Sequence, residues 1–452
     1  MRGPPGKSWA DAPAAPAARS PLLPLNLLPS VKVLLVNTSD HTGGAAIAAL
    51  RLLRALQGAG VEATLLCRDR SLPAERTDIV QLKPTPWRRL KFLAERLDIF
   101  LRNGCSRENL FAIDTARCGN DITSLPEFRE ADVVHLHWTN QAMLSLRDLE
   151  RILRSGKRVV WTMHDMWPFT GVCHQADQCE RWREGCGECP LLRRPRRRDL
   201  SARVFARKEK AYAAGRLTLV GCSQWLASLA AASPLLKGQR IASIPNPINT
   251  DFYLPAGLDD APTRDAVRER LGLPAGRRLL LFTAFKLTDP NKGIDYLIES
   301  LALLCQEHPE LKEELGIVLA GRGAEELRGA FPVPAFPQGY VTDEARMRDL
   351  YQAADLLVMP TLMDNLPNTI AEAMACGIPC VAFSVGGTPQ MVDTGLNGYL
   401  AECRNSLDFA EGIARVLGSK SYDALCRNAR KKALAAYSEK AVAEQYIELY
   451  NS

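Results

Sequence analysis

Short apolar runs alternate with amphipathic stretches from Val31 onwards. Val31–Asn37 is rich in β-branched and apolar residues, and a turn containing Gly43 and Gly44 follows it. Ala45–Gln57 then carries apolar residues at helical spacing, and Val61–Cys67 is again apolar. A strand, a glycine turn, a helix and a strand in this order predict a βαβ unit.

The same alternation continues as two series of predicted strands. In the first series the further strands are Val133–Leu136, Val159–Met163, Leu217–Gly221 and Ile241–Ile244; the second comprises Leu279–Ala284, Gly316–Ala320, Asp355–Met359 and Cys380–Phe383. Ile294–Leu304 carries one helical apolar stripe between two strands of the second series. Each series predicts a doubly wound α/β domain with a buried parallel sheet. Ligands of such sheets bind at the carboxyl ends of the strands, so a site is expected in a cleft between the domains.

The predicted organisation has four parts. A leader at 1–30 holds seven prolines and six alanines without periodicity, which predicts disorder. Residues 31–255 form an N-terminal Rossmann-like domain with a Cys-rich insertion at 173–189, and 256–435 form a C-terminal one. The last segment, 436–452, is an amphipathic helix that we expect to return to the N-terminal domain.

Composition and charge narrow the class of protein. The chain has 452 residues, of which 46% are hydrophobic and 24% charged, as is typical of globular proteins. No window offers the roughly 20 uninterrupted apolar residues of a membrane span. The 13 cysteines lie mostly in apolar or helical contexts, which favours reduced thiols in a cytoplasmic protein.

The net charge of +6 is concentrated in one segment. Arg193–Lys210 holds nine basic and two acidic residues, a local charge of +7. A nucleic-acid binder would spread basic charge over a domain face, so we expect no nucleic-acid partner. The segment is either a solvated helix face or a peripheral contact with the anionic inner face of the cell membrane.

Several polar residues lie where strands are predicted to end in the first domain. Backbone N–H groups at Gly43 and Gly44 could approach a phosphate at a helix start, although a simple tight turn is the alternative. His135 and His137 close one strand and His164 another. For each histidine the alternative is a packed or solvated loop residue.

Four cysteines lie within 17 residues in the pattern C-x5-C-x6-C-x2-C. They are Cys173, Cys179, Cys186 and Cys189. This spacing favours a structural zinc site, with His174 as an alternative ligand. Four thiolates leave no open coordination position, so the zinc would pin the loop after His164. Unliganded structural cysteines and redox chemistry are the alternatives.

Charged residues also cluster in the second domain. Lys286 and Lys292 flank a turn before a helix, which suits a pyrophosphate, although solvated lysines are the alternative. Asp364 and Glu372 lie eight residues apart, and a carboxylate at a helix start can accept hydrogen bonds from ribose hydroxyls. Gly386-Gly387 is a further turn that can offer backbone donors.

Together these residues resemble the retaining glycosyltransferases of family 4, which have the GT-B fold, over about residues 31–450. The most specific part is Pro360–Pro379 (PTLMDNLPNTIAEAMACGIP), which is similar to the family's E-x7-E segment. Supporting matches are Pro245–Phe252, Lys292-Gly293, Gly386-Gly387 and Asn397-Gly398. Trp161–Pro190 is similar to a subset associated with bacterial exopolysaccharide and lipopolysaccharide assembly.

The resemblance implies transfer of a sugar from a nucleotide diphosphate sugar to an acceptor hydroxyl, with the anomeric configuration retained. The acceptor would be a sugar or a lipid-linked glycan bound by the N-terminal domain, and the donor would lie on the C-terminal domain. No cofactor is required for catalysis in this scheme. The cellular role would be assembly of a cell-surface polysaccharide.

The resemblance also implies residue roles. Glu372 would bind the ribose hydroxyls, Asp364 the transferred sugar, and Lys292 and Lys286 the pyrophosphate, while His164 would lie beside the reacting sugar. The catalytic set is His164, Lys292 and Asp364. The other implied donor-binding residues are Gly43, Gly44, Asn365, Leu366, Gly386 and Gly387.

Some positions depart from the family's pattern. Asp364 is one methylene shorter than the usual glutamate, Lys286 stands where arginine is usual, and Gln390 replaces a glutamate. Pro367 cannot donate a backbone hydrogen bond. These departures favour, as an alternative, a catalytically degenerate relative. Two weaker alternatives remain. A zinc-stapled nucleic-acid binder is disfavoured by the localised basic charge. A nicotinamide-dependent oxidoreductase is disfavoured because the chain lacks G-x-G-x-x-G after its first strand.

Overall fold

Two parallel sheets, of seven and six strands, form the framework of the computed structural model, which describes residues 31–73 and 75–452. The leader predicted at 1–30 lies outside the described residues. The first sheet comprises β1 (Lys32–Ser39), β2 (Glu62–Asp69), β3 (Ile79–Gln81), β4 (Val133–Leu136), β5 (Arg158–Met163), β6 (Thr218–Gly221) and β7 (Arg240–Ser243). The second comprises β8 (Arg278–Lys286), β9 (Leu315–Arg322), β10 (Ala335–Gly339), β11 (Leu356–Met359), β12 (Cys380–Phe383) and β13 (Gly398–Ala401).

The strand orders are β3-β2-β1-β4-β5-β6-β7 and β10-β9-β8-β11-β12-β13. In each sheet the order reverses beside the first strand of the series, between β1 and β4 and between β8 and β11. The predicted class of two doubly wound α/β domains is therefore confirmed. The reversal places the ends of β1, β4, β8 and β11 at the positions where such sheets bind ligands.

Helices follow most strands and cover both faces of each sheet. They are α1 (Gly44–Gly58), α2 (Pro86–Arg102), α3 (Pro126–Glu130), α4 (Leu146–Arg154), α5 (Leu200–Tyr212), α6 (Gln224–Ala231), α7 (Arg264–Leu271), α8 (Ile294–Glu307), α9 (Pro309–Glu314), α10 (Glu344–Ala353), α11 (Asn368–Ala375), α12 (Thr388–Met391), α13 (Ser406–Leu417), α14 (Tyr422–Ala436) and α15 (Glu439–Asn451). Across 31–73 and 75–452, none of them combines the length and hydrophobicity of a membrane-spanning helix.

The central strands agree with the sequence prediction, and β4 and β12 have the predicted bounds. Three strands were not predicted from the sequence, namely β3, β10 and β13. All three are edge strands of three to five residues. Central strands are buried on both faces and therefore form continuous apolar runs, whereas edge strands give a weaker signal. Pro337 in β10 is compatible only with such an edge position.

The last helix, α15, belongs to the core of the first domain. Its side chains Val442, Tyr446 and Tyr450 pack with the apolar residues of β1 and α1. The Tyr450 hydroxyl lies 2.6 Å from Nδ1 of His135, and the Tyr446 hydroxyl lies 2.8 Å from Oγ1 of Thr162. The chain therefore leaves the second sheet and ends against the first.

We expect Tyr450→Ala to lower the free energy of unfolding by about 3–5 kcal/mol, because a large aromatic ring leaves a cavity in the core. Tyr450→Phe keeps the ring and removes only the hydroxyl, so its cost should be about 1 kcal/mol. Urea titration followed by circular dichroism measures both. Equal stability of Tyr450→Ala and the unsubstituted chain would show that α15 does not support the first domain.

Candidate functional site

A cavity of about 320 Å³ lies between the carboxyl ends of the two sheets. The first domain contributes Gly44 and His164 to its lining, and the second contributes Lys292 and Asp364. Asn365 and Leu366 also line it. Predicted site residues that are far apart in the sequence thus line one cavity. The cavity lies where the strand order of each sheet reverses.

The Lys292 loop and the Asp364 loop form one unit. Lys292 Nζ lies 3.3 Å from Asp364 Oδ2, and the carbonyl of Asn291 accepts hydrogen bonds from Leu362 N (2.9 Å) and Thr361 Oγ1 (3.0 Å). A Cβ atom at Gly293 would lie 1.9 Å from the Pro360 carbonyl oxygen, and its φ is 70°. Only glycine therefore lets this loop approach β11 closely enough to place the lysine beside the carboxylate.

Two helices begin at the cavity, one from each domain. The first residues of α1, Gly44 and Ala45, line it, as do Asn368 and Thr369 at the start of α11. Pro367 precedes α11 and supplies no side-chain cap. Unpaired N–H groups and the helix dipoles make such ends favourable to anions. The groups of the cavity that favour an anion are therefore these two helix starts and the Lys292 ammonium, which lies beside the Asp364 carboxylate.

Gly43 has a φ of 92°, which favours glycine, and a Cβ atom placed there would meet no heavy atom within 4 Å among the described residues. The backbone before α1 is therefore open to close approach by a ligand.

Three histidines form a column from the core to the cavity. The rings of His135 and His137 lie 4.5 Å apart, and Nδ1 of His137 lies 3.0 Å from Nε2 of His164. Burial lowers the pKa of His164 to about 4 and that of His135 to about 3. His164 therefore presents a neutral ring to the cavity at neutral pH, with one ring nitrogen hydrogen-bonded to His137.

Asn365 joins the two domains beside the cavity. Its Nδ2 donates to the carbonyl of His164 at 3.3 Å, and its Oδ1 accepts from Ser223 Oγ at 2.6 Å. Gly386 and Gly387 pack behind this segment, because Cβ atoms there would lie 1.8 Å from the Asp364 carbonyl oxygen and 2.0 Å from that of Asn365.

The structure does not bring every predicted residue to the cavity. The glycine pair Gly386-Gly387 supports the Asp364 loop without lining the cavity, so a direct donor contact by it stays a prediction. Lys286 is exposed at the end of β8 and is also outside the lining. All three residues lie at the carboxyl ends of strands of the second sheet, because Lys286 ends β8 and Gly386-Gly387 follow β12.

Glu372 lies at a buried contact between the domains. It is 8% exposed, its Oε1 lies 2.8 Å from Nη1 of Arg51, and its Oε2 accepts a hydrogen bond from the Tyr351 hydroxyl at 2.7 Å. Arg51 comes from α1 of the first domain and also pairs with Glu344 of α10 at 2.9 Å. The carboxylate is held by protein groups here and does not line the cavity.

Arg51 is the main residue that sequence analysis missed. It is 4% exposed, and Tyr253 completes its surroundings at 3.2 Å. Burial by itself would lower the pKa of Arg51, but the neighbouring groups, with Glu372 first, raise it above its ordinary value, so the guanidinium stays charged. The only signal in the sequence is an arginine within the apolar run Leu50–Leu53.

A second missed group lies at the outer end of the cleft. Phe285, which lines the cavity, and Tyr340 are exposed aromatic residues at the ends of β8 and β10, and their ring centroids are 5.3 Å apart. The guanidinium of Arg322 lies 4.6 Å from the Phe285 ring centroid. Such a cluster offers flat surfaces to a planar ligand.

We expect Arg51→Ala to lower the free energy of unfolding by about 3–5 kcal/mol, because it leaves Glu372 buried without its partner charge. Urea titration measures the change. Arg54→Ala is the matched control, since Arg54 lies on the same helix and is exposed; its effect should stay within about 0.5 kcal/mol. Similar values for the two variants would contradict the interdomain role of Arg51.

The cysteine cluster packs beneath the loop that follows β5. Burial raises the pKa of Cys173 and of Cys186 to about 11, and Sγ of Cys186 accepts a hydrogen bond from Gly171 N at 3.2 Å. His174 instead lies 2.7 Å from Asp165. Within the described ranges no three His, Cys, Asp or Glu side chains are arranged to hold a metal ion. The zinc site stays a prediction.

Metal analysis of the purified chain tests this prediction. If the four cysteines bind zinc, the protein should contain about one zinc ion per chain, and Cys186→Ser with Cys189→Ser should remove it. Cys305→Ser with Cys403→Ser is the matched control, because those thiols lie in the second domain. Absence of zinc from protein purified without chelators would favour unliganded structural cysteines.

Comparisons with known proteins give consistent matches. Residues 277–419 match the family model described as "Glycosyl transferases group 1", and 42–252 match "Glycosyltransferase Family 4". A D-inositol 3-phosphate glycosyltransferase of Xylanimonas cellulosilytica is 32% identical over 39% of this chain, and the match spans 43% of that relative's length. The Escherichia coli K12 protein WcaC, named as a colanic acid biosynthesis glycosyl transferase, is 24% identical over 71% of this chain and 76% of its own.

Among solved structures, Anabaena Alr3699/HepE in complex with UDP-glucose superposes with a TM-score of 0.59 at 15% identity. The superposition covers 93% of this chain and 99% of that one. At this identity the likeness establishes a shared fold.

Proposed function

Since the chain belongs to the family 4 glycosyltransferases with the GT-B fold, we propose that it moves a sugar from a nucleotide diphosphate sugar to an acceptor hydroxyl with retention of the anomeric configuration. The predicted family, fold and enzyme class are confirmed. Membership argues against the alternatives of a nucleic-acid binder and an oxidoreductase. The observation that supports the proposed chemistry is the convergence of Lys292, Asp364 and two helix starts on one cavity.

The diphosphate of the donor would lie between the starts of α1 and α11, beside Lys292. Negative charge grows on the diphosphate as its bond to the sugar breaks, so fixed positive charge lowers the barrier. Lys292 is held in place by Asp364 and by the Gly293 turn, and it needs little rearrangement to act. The helix starts add N–H donors from both domains.

The transferred sugar would lie next to Asp364 and His164. Asp364 can accept hydrogen bonds from sugar hydroxyls, and the neutral His164 ring can pack or hydrogen-bond without adding a charge. In the proposed step the bond from the anomeric carbon to the phosphate oxygen breaks and a bond to the acceptor oxygen forms on the same face. The acceptor's hydroxyl proton passes to the departing phosphate.

The nucleoside would extend from Lys292 towards Phe285, with the base against the Phe285–Tyr340 pair. The predicted ribose contact of Glu372 requires a change, because Arg51 and Tyr351 hold its carboxylate in the described arrangement. We infer that ribose reaches Glu372 when the Arg51 side chain turns away from this carboxylate, while α1 stays in place. The donor complex of HepE with UDP-glucose supports a donor of this class.

The acceptor would enter from the first domain. A role in cell-surface polysaccharide assembly is supported by the similarity to WcaC, which is named for colanic acid biosynthesis. A sugar or a lipid-linked glycan would present its hydroxyl to the cavity beside His164. Contact with an anionic membrane would keep the chain near a lipid-linked acceptor.

Donor binding is tested by thermal stabilisation with UDP, GDP, ADP and dTDP sugars, followed by calorimetry with the sugar that stabilises most. Lys292→Met keeps most of the length of the side chain and removes its charge, so we expect roughly tenfold to hundredfold weaker binding. Glu372→Ala should weaken binding comparably if ribose reaches this carboxylate.

Lys312→Met is the control, because Lys312 is an exposed lysine on α9 and should leave affinity unchanged. If Lys292→Met binds the donor as tightly as the unsubstituted chain does, the proposed position of the donor diphosphate is refuted. Turnover of the stabilising donor, with the product's anomeric proton followed by NMR, separates an active retaining enzyme from a degenerate relative.

A further inference from the structure

Helix α2 places its apolar side chains outwards. Trp87, Leu90, Leu93, Leu97 and Leu101 are between 52% and 73% exposed. Their spacing of three or four residues puts them on one side of the helix, in a stripe along its whole length. We call these five residues the α2 stripe. Isolated exposed leucines are common, but five in one row form a continuous apolar surface that needs a partner.

The inward side of the same helix carries a buried polar network beside the core residue Ile99. Glu95 and Arg96 are buried there, with Arg96 Nη2 2.9 Å from Asp114 Oδ2 and Glu95 Oε1 accepting a hydrogen bond from Arg117 N at 3.0 Å. Turning the helix to bury the leucines would break these contacts and expose the ion pair. The polar network therefore fixes the α2 stripe towards the outside.

Basic residues border the stripe at its N-terminal end. A cavity of about 690 Å³ lies there, and its lining combines the apolar Phe92 and Leu93 with Arg68, Arg88 and Arg89. Arg68 pairs with Asp69, while Arg88 and Arg89 extend from the first turns of α2. An apolar floor with guanidinium groups at its edge is complementary to a phosphorylated amphiphile.

The basic segment Arg193–Lys210 borders the other end. Arg193 donates to the carbonyl of Gly104, just after α2, at 2.7 Å. Beyond it, four arginines surround a cavity of about 360 Å³ in which Asp98 is the acidic lining residue. They are Arg102, Arg117, Arg203 and Arg207. Burial and then the neighbouring Arg117 lower the pKa of Arg207, as expected where positive charges crowd together.

We propose that the α2 stripe and the arginines at its two ends form a docking surface for a bilayer that contains anionic phospholipids. The leucines and Trp87 enter the boundary between headgroups and acyl chains, and the arginines contact lipid phosphates on either side. A helix lying in the membrane plane with an apolar face and basic flanks is the arrangement that such interfaces favour.

The charge around the α2 stripe favours a membrane over a protein as the partner of this surface. The charged residues that flank the stripe on α2 are Arg88, Arg89, Lys91 and Arg102, and the acidic Asp98 is engaged by Arg102 (2.7 Å) and Arg117 (3.0 Å). The surface thus offers excess positive charge on both sides of an apolar line. A bilayer supplies phosphates along the whole of that line, together with an apolar interior.

The surface also explains why the basic segment Arg193–Lys210 is so localised. The charge pattern of that segment allows two interpretations, a solvated helix face and a membrane contact. The structure brings the segment to the end of an exposed apolar helix, and this juxtaposition is what favours the membrane.

Co-sedimentation of the full chain with vesicles tests the proposal without donor or acceptor, so its outcome is independent of the proposed catalysis. We expect binding to vesicles of phosphatidylcholine and phosphatidylglycerol in equal parts, and little binding to phosphatidylcholine alone. The triple variant Leu90→Ser, Leu93→Ser and Leu97→Ser should bind at least about tenfold more weakly. These leucines are exposed, so the thermal midpoint should not change.

The matched control is Leu396→Ser, Leu407→Ser and Leu434→Ser, since these three leucines are exposed in the second domain and should not affect vesicle binding. Trp87 provides a second readout, because its fluorescence emission should shift to the blue on binding. Trp87→Phe should abolish that part of the shift.

Three results would overturn the proposal. They are equal binding to both kinds of vesicle, equal binding of the α2 triple variant and the unsubstituted chain, and an unchanged emission of Trp87 on vesicle binding. Conversion of a dimer to a monomer by the α2 triple variant would instead assign the surface to a second copy of the chain and would also overturn it.

Discussion

One buried guanidinium determines how the two domains meet. Arg51 of α1 is shared by Glu372 and Glu344 of the second domain, and Tyr253 of the connecting segment contacts it as well. An isolated charge at this depth would be unfavourable, so the three charged groups stabilise one another only when the domains lie in this relation. The position of the cleft, and hence the shape of the cavity, depends on that pairing together with the contacts of Asn365 with His164 and Ser223.

The same contact links domain arrangement to donor recognition. Glu372 is the carboxylate that the family pattern assigns to ribose, and here Arg51 and Tyr351 hold it. A carboxylate that can pair with either a protein side chain or a ligand has two states, and the presence of the ligand shifts the balance between them. In the proposed function, pairing of Glu372 with Arg51 and binding of ribose to Glu372 exclude each other, while Lys292 and the helix starts stay available to the diphosphate in both states.

Buried polar contacts also determine which side of α2 is exposed on the surface of the first domain. Glu95 and Arg96 anchor the inward side of α2, and for that reason the leucines of the α2 stripe face outwards. In most surface helices the apolar side faces the core. Here Glu95 and Arg96 face the core beside Ile99, and the exposed apolar line runs towards the basic segment Arg193–Lys210, whose first residue contacts Gly104 just after α2. The contact between the domains and the outward side of α2 are thus both organised by buried ion pairs.

The sequence predicted the two doubly wound domains, most central strands and several residues that line the cavity, among them His164, Lys292 and Asp364, because βα alternation and the Pro360–Pro379 segment are local patterns. It missed the edge strands β3, β10 and β13, whose apolar signal is weak. It could not reveal the partner of Glu372, since Arg51 lies 321 positions away and only folding joins them. Nor could it reveal which side of α2 faces the core, because helical spacing of apolar residues does not fix the rotation of the helix. Buried ion pairs between distant residues set both features, and such pairs exist only in the tertiary structure.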